Sequence, residues 1–415
     1  MDPRQRPQRG DLISGISVAL VLIPQALAYA ELAGMPPAIG LLAGTIPAIA
    51  AAFFASSPYL QTGPTALHAL LVAGALSGTA AVATPDYVAT GAMLALLVGV
   101  CRVIFGVLRW GRVAYLVSEP VLVGFTTGAA ILVIASQVPS IVGVSASGNQ
   151  VLARAITALS QPDRWSIPTI ALAGITLVVV ILGRRFHPLF PSVLVAVIVA
   201  WAVSLGVGFE GAVLGEIPRT VPTLSVERPW SSIPALLIPA VVIAVVGFAE
   251  PASIARTYAA LDGYRWSPHR EFVSQGIANL ASGMIGAFPV GGSFGRSSLN
   301  RSAGAVTRWS GAVTGVALLA VLPITGVLAS LPKVILAAVV VSAVISLIRP
   351  ERWRELWRAS PLEAGLAFGV LVMMAVVDPH IERAIVVGVA ASGLLRLVRK
   401  LRSSSRPDRD VRAKR

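Results

Sequence analysis

Charge and cysteine are what this chain has least of. Only 13% of its 415 residues are charged, about half the share of a soluble domain, while 55% are hydrophobic and the mean hydropathy is +0.80. That balance excludes a soluble enzyme and a disordered segment alike. The single cysteine, Cys101, lies in an apolar run, forms no intramolecular disulfide or cysteine-based metal cluster, and reads as a small core hydrophobe. There is no metal-ligand cluster, nucleophile elbow or phosphate-binding loop. Nothing positive therefore supports an enzyme, a metal site or a cofactor. Aromatic residues make up only 6% and are not interleaved with basic patches, which argues against nucleic acid as a partner despite a net charge of +14.

What is present is apolar sequence with its positive charge at the ends. Residues 396–415 carry +7 and residues 1–10 carry +2, so +9 of the +14 is terminal. This is a topogenic and lipid-headgroup signature. Gln25 and Glu31 stand where a signal-peptide cleavage site would need small residues, so the first apolar run is expected to be a retained helix.

Apolar runs bounded by Pro, Gly and charges fall at 12–30, 38–55, 64–76, 87–107, 119–136, 168–183, 189–208, 233–255, 271–287, 294–304, 310–331, 333–348, 361–376 and 381–398. They predict an all-α polytopic membrane protein of fourteen segments. An even count puts both termini on one side, expected to be cytoplasmic in a plasma or inner membrane. Fourteen arginines, Arg112 among them, then fall in loops on that side, against six basic residues opposite, Arg219 and Arg228 among them. The third and tenth segments are too short to cross about 30 Å of hydrocarbon at 1.5 Å per residue and read as half-helices. Each follows a Gly- and Pro-rich stretch, Pro58–Gly63 or Gly286–Gly292, that suits a short extended strand. Irregular backbone at this depth is tolerated where it lines a cavity, so the two breaks should face each other across a binding site.

The spacing also has two-fold order. Gln25 precedes Pro64 by 39 residues and Glu250 precedes Ser293 by 43, as two inverted repeats of seven segments would give. The expected division is a basic terminus over 1–10, a first repeat over 11–208, a linker over 209–232, a second repeat over 233–398 and a basic tail over 399–415.

Two helix N-termini aimed at one point offer free N–H groups and positive dipole ends, which suit an anion. Pro64 is expected at the start of the third helix, and Ser293 as the N-cap of the tenth beside Arg296. Arg296, costly to bury alone, would pair with a carboxylate or an anion, Glu250 being the obvious carboxylate; otherwise it reaches the interface with Arg301 and Arg308. Glu250 is either a proton-coupling site or a structural ion pair or cap near Pro251. Gln25 and Tyr29, four apart on one face of the first helix, can donate to a substrate or bond between helices. Glu31 is expected at the outer helix end in solvent. His68 is a proton relay or a packing residue with a satisfied nitrogen.

Leu22–Pro37, Gly63–Ala66 and Phe288–Ala305 together resemble the sulfate permease (SulP) anion transporters, in the right order over nearly the whole chain. The resemblance implies a core domain of segments 1–4 and 8–11 moving like an elevator against a gate domain of segments 5–7 and 12–14, usually in a homodimer. It implies substrate contacts at Gln25, Tyr29, Thr65, Ala66, Ser293, Phe294, Gly295 and Arg296, and proton coupling or arginine pairing at Glu250. Gly295 replaces a residue that is often Ser in the family, leaving coordination more dependent on backbone N–H groups and Ser293. The basic tail from Ser403 is expected to leave no room for the family's usual cytoplasmic STAS domain. The expected function is secondary transport of a small oxyanion, sulfate or bicarbonate, coupled to protons. A dicarboxylate carrier, sodium coupling, a nucleobase carrier and an uncoupled channel of the same architecture stay open.

Overall fold

The computed structural model describes residues 6–110, 118–148, 150–186, 190–215, 222, 224, 229–378 and 380–404. Arg112, Arg219 and Arg228 of the charge count, the middle of the 209–232 linker (216–221, 223 and 225–228) and the tail beyond residue 404 lie outside the described residues.

The first half runs through α1 (Arg9–Leu32), α2 (Pro37–Gly44), α3 (Ile46–Phe54), β1 (Thr62–Gly63), α4 (Ala66–Ala75), α5 (Pro85–Val107), α6 (Glu119–Val142), α7 (Val151–Leu159), α8 (Ile167–Phe186) and α9 (Ser192–Gly206). The second runs through α10 (Ile233–Asp262), α11 (Pro268–Met284), β2 (Gly291–Gly292), α12 (Phe294–Ser302), α13 (Trp309–Val321), α14 (Lys333–Val344), α15 (Pro350–Ala359), α16 (Pro361–Val377) and α17 (Glu382–Ser404). The two halves repeat one order of elements. Each of the fourteen apolar runs holds a helix, and the second is split at Thr45 because Pro47 lacks the N–H and crowds the preceding turn. Six helical stretches among the described residues are long and apolar enough by themselves to cross a membrane.

Two helices went unforeseen, α7 and α15. They sit at equivalent places in the two halves, between the fifth and sixth and between the twelfth and thirteenth runs. Both are short and one-sided. α7 buries only Val151, Ala155 and Ala158, and α15 only Leu356, so neither leaves an apolar run to find.

The expected crossing strands exist and pair with each other. β1 and β2 are antiparallel, with Thr62 opposite Gly292 and Gly63 opposite Gly291, so the two repeats are hydrogen-bonded to one another at the breaks. The polar face of α11 holds them there: Gln275 Nε2 donates to Thr62 Oγ1 at 2.7 Å, Asn279 exchanges two 2.9 Å bonds with the backbone of Val290, and Ser282 Oγ donates to Phe288 O at 2.6 Å. All three are fully buried, and in an apolar interior such groups persist only when paired.

Glycines bring α5 and α11 into close backbone contact. A Cβ on Gly99 of α5 would stand 2.7 Å from Leu280 N, and one on Gly276 of α11 would stand 2.8 Å from Val103 N. Close backbone approach of this kind drives helix association where lipid offers no hydrophobic contrast. α5 thus packs on α10 and α11, α3 on α11 and α13, and α1 on α2, α12 and α13. Separately, α6 packs on α7, α14 and α16, and α8 on α9 and α14, while α1 also touches α9 and α14.

Buried carboxylates close the chain where it leaves the helices. Asp11 Oδ1 accepts the Val306 and Thr307 N–H groups at 2.8 and 2.7 Å, and its Oδ2 accepts the Thr307 hydroxyl at 2.7 Å. Glu271 Oε2 does the same for Ser56 and Ser57 at 3.1 and 3.0 Å. Replacing Asp11 with Ala orphans three buried donors and is expected to cost about 2–4 kcal/mol, read as a lower thermal-unfolding midpoint of the purified protein in detergent. Asp11→Asn, which keeps an acceptor oxygen, should lose less; equal midpoints for wild type and Asp11→Ala would remove this capping role.

Candidate anion site

The two half-helices start on either side of the β1–β2 pair. α4 begins at Ala66 with Thr65 as its N-cap: Thr65 Oγ1 accepts the His68 N–H at 3.3 Å. Pro64, expected at the helix start, therefore sits one residue ahead of the cap, and the cap bond falls to the threonine. α12 begins at Phe294 after Ser293, whose backbone N–H donates to Gln61 O at 3.1 Å. Ser293 holds the N-cap position as expected, but its hydroxyl makes no cap bond and is left for another partner. A Cβ on Gly295 would meet nothing within 4 Å. Gly295 thus faces open space beside the exposed Phe294 ring.

Arg296 is 2% exposed, which removes the alternative of an interfacial side chain beside Arg301 and Arg308. Its Nη1 donates to Gln25 Oε1 at 3.4 Å, while Nε and Nη2 are buried without a hydrogen-bond partner. Nη2 stands where a Cβ on Gly63 would lie 3.5 Å away, so the guanidinium reaches the strand pair. Tyr29, buried on the same face of α1 as Gln25, interacts electrostatically with Arg296. Thr65 and Ala66 are buried on the facing helix start.

The expected direct pairing of Arg296 with Glu250 is not found: among the described residues no salt bridge joins them. Glu250 Oε1 instead accepts the Phe294 N–H at 3.0 Å. The carboxylate thus takes the first open donor of α12, where the dipole end stabilises it, and acts on Arg296 from a distance. Glu31 is also not simply solvated; Lys333 Nζ lies 2.9 Å from its Oε1, joining the end of α1 to the start of α14.

Beneath the site lies a second buried arginine that composition and motif reading passed over. Arg102 of α5 is 0% exposed; its Nε donates to Ala244 O at 3.3 Å, Nη1 to Val290 O at 2.9 Å and Nη2 to Ile243 O at 3.1 Å. Nη2 also lies 3.0 Å from His68 Nε2. A guanidinium only donates, so Nε2 accepts and the ring proton sits on Nδ1, which donates to Thr65 Oγ1 at 2.8 Å. Both nitrogens of His68 are spent, which leaves the packing alternative and removes the relay. Thr65 Oγ1 accepts twice, so its own proton remains to give. The signal for Arg102 was available as a guanidinium inside the apolar run 87–107.

Two buried guanidinium groups, one carboxylate, two helix starts and the Thr65 hydroxyl proton are thus grouped around the β1–β2 pair, with more positive than negative charge. No group of three or more His, Cys, Asp or Glu among the described residues could hold a metal ion.

The chain is similar to known proteins over most of its length. The model of the sulfate permease family matches residues 9–370. A probable sulfate transporter of Mycobacterium tuberculosis is 34% identical over 391 residues, covering 90% of this chain and 70% of the relative. Among solved structures, the anion transporter solute carrier 26 member A9 of mouse superposes with a TM-score of 0.86 at 22% identity, covering 96% of this chain and 70% of that one. The transmembrane domain of a cyanobacterial bicarbonate transporter gives 0.81 at 22%, covering 90% and 97%.

Two glycines separate site packing from site opening. Gly291→Ala would drive a Cβ into the His68 ring, and it is expected to disturb the Arg102–His68–Thr65 chain and cut anion affinity at least tenfold, the equivalent of about 1.4 kcal/mol. Gly295→Ala, facing open space, should change affinity less than threefold. Anion-dependent thermal shift of the two variants checks this; equal losses would mean that the packing around His68 does not govern the site.

Proposed function

Because the chain belongs to the sulfate permease family, we propose that it is a secondary active transporter of a small oxyanion, sulfate or bicarbonate, driven by protons. The observation that carries this reading is the buried Arg296 guanidinium with two unpartnered nitrogens, set between two helix starts. A buried cation without a partner is costly, and an anion bridging Arg296, the Thr65 hydroxyl, the Ser293 hydroxyl and the α12 N–H groups would relieve it. A nucleobase has no charge to offer these donors. Gln25, Tyr29, Ala66, Phe294 and Gly295 line the same space and set its size.

Coupling follows from the Glu250–Phe294 bond. As a carboxylate, Glu250 occupies a donor of α12 and opposes the binding of a second negative charge. Protonation weakens its hold on the Phe294 N–H and leaves Arg296 uncompensated, so proton and anion favour each other's binding. Access would alternate by movement of a core, α1–α5 and α10–α13, against a gate, α6–α9 and α14–α17. The Glu31–Lys333 ion pair crosses that boundary at the end of α1 far from the chain terminus, so it would have to break each time the site opens to that side. A homodimer in a plasma or inner membrane, with both termini in the cytoplasm, fits the terminal excess of positive charge.

Uptake of labelled sulfate, bicarbonate and fumarate into proteoliposomes under an inward proton gradient tests the reading. Wild type should accumulate one of the inorganic anions. Glu250→Gln, whose amide oxygen still accepts from Phe294, should exchange anion but lose accumulation; uptake indifferent to the gradient, with the variant like wild type, would refute proton coupling and bring sodium, exchange or a channel forward. Movement has its own test. In a Cys101→Ser background, Glu31→Cys with Lys333→Cys, bridged by a bis-methanethiosulfonate that joins each thiol by a disulfide with loss of methanesulfinate, should cut uptake at least tenfold and recover it on reduction. Undiminished uptake by the bridged protein would refute relative movement at this boundary.

A further inference from the structure

Arg349 stands on the segment between α14 and α15, outside the helices that build the site, yet its guanidinium lies over the Phe294 ring, 5.5 Å from the centroid. Phe294 is the first residue of α12 and also stacks on Tyr258 at 6.2 Å, so its ring is held between an aromatic contact and a cation contact. Arg349 is exposed and interacts electrostatically with Glu250. Its neighbours are committed elsewhere: Arg352 pairs with Glu119 and Glu355 at 3.1 and 3.2 Å, and Arg301 with Asp262 at 2.6 Å. Among the described residues Arg349 has no salt bridge. It is a free cation at the mouth of a positive pocket, beside the open space at Gly295.

We propose that Arg349 is an affinity-determining residue for the anion on the face of the protein that carries the α1 start: a cation on the gate that draws the anion past Phe294 into the site and is left behind when the site turns to the other face. The inference rests on the anion-transport reading above and deepens it. A charge at a pocket mouth with low-dielectric walls raises local counter-ion concentration, and its reach is limited to about 10 Å at 0.1 M salt. Because Arg349 follows α14 while Phe294 and Glu250 belong to α12 and α10, relative movement of the two bodies changes the distance between cation and site. The site then meets the anion with a stronger field on one face than on the other. The device needs no change in the residues that bind.

The test measures KM for sulfate and bicarbonate from each face, in right-side-out and inside-out vesicles, for wild type, Arg349→Gln and Arg349→Lys. Arg349→Gln should raise KM from the α1-start face by ~3- to 10-fold at low salt, and by much less at high salt, with KM from the other face within about twofold. Arg349→Lys, keeping the charge, should recover most of the loss. An unchanged KM, or an equal rise from both faces, would overturn the assignment. Sulfate-dependent thermal shift in detergent provides a readout that does not need transport. Weaker binding by Arg349→Gln with no uptake by wild type would defeat the transport reading and leave the role of Arg349 standing, whereas equal binding by the two proteins would defeat the role of Arg349.

Discussion

Backbone donors and acceptors cannot be left open inside hydrocarbon, and the rest of this structure is arranged around the two places where the chain breaks that rule. At each break an extended stretch leads into a half-helix, and its two-residue strand has no ladder partner within its own repeat. Each strand finds one in the other repeat. The β1–β2 ladder satisfies both breaks at once, and the polar side chains of α11 take up what the two-residue strands leave over. Neither repeat can be completed alone, which is why a site at their junction is unavoidable in a chain of this design.

Charge at that junction follows the same economy. Arg102 is surrounded by three backbone carbonyls and a histidine nitrogen, so its charge is solvated by protein and its donors are used. Arg296, its neighbour in the pocket, is given one weak bond to Gln25 and nothing else. The contrast assigns them different work. Arg102 holds His68, and through it the cap of α4, in place; Arg296 is kept short of partners. Glu250 could have completed Arg296 and does not, because the Phe294 N–H at the start of α12 claims it. One bond thus keeps the carboxylate within electrostatic reach of Arg296 without closing the arginine.

Several candidate residues were legible in the order of residues. Gln25, Tyr29, Thr65, Ser293 and Arg296 stand out because each is polar inside an apolar segment or at a break; the structure bonds Gln25 to Arg296 and puts Tyr29 within its electrostatic reach. The partnerships were not readable. Nothing in the spacing of Glu250 and Arg296 says that the carboxylate would prefer a main-chain donor, since that depends on where the first turn of α12 points. Arg102 lies inside an apolar run too, but its role is legible only from its partners, the carbonyls of α10 and of Val290 and the ring of His68. The same blindness hid α7 and α15, short one-sided helices without an apolar run.

The sequence by itself determined the solvent, the helices and the two breaks, because hydropathy over about twenty residues and the chemistry of Gly and Pro act locally and need no partner. It also determined that the two halves repeat, since a repeated pattern is visible wherever its members lie. Tertiary structure decided which donors are spent and which remain open. A hydrogen bond belongs to two groups, and Thr62 with Gly292 and Glu31 with Lys333 are separated by hundreds of residues, Glu250 with Phe294 by a whole helix and a strand, so that only packing brings them together.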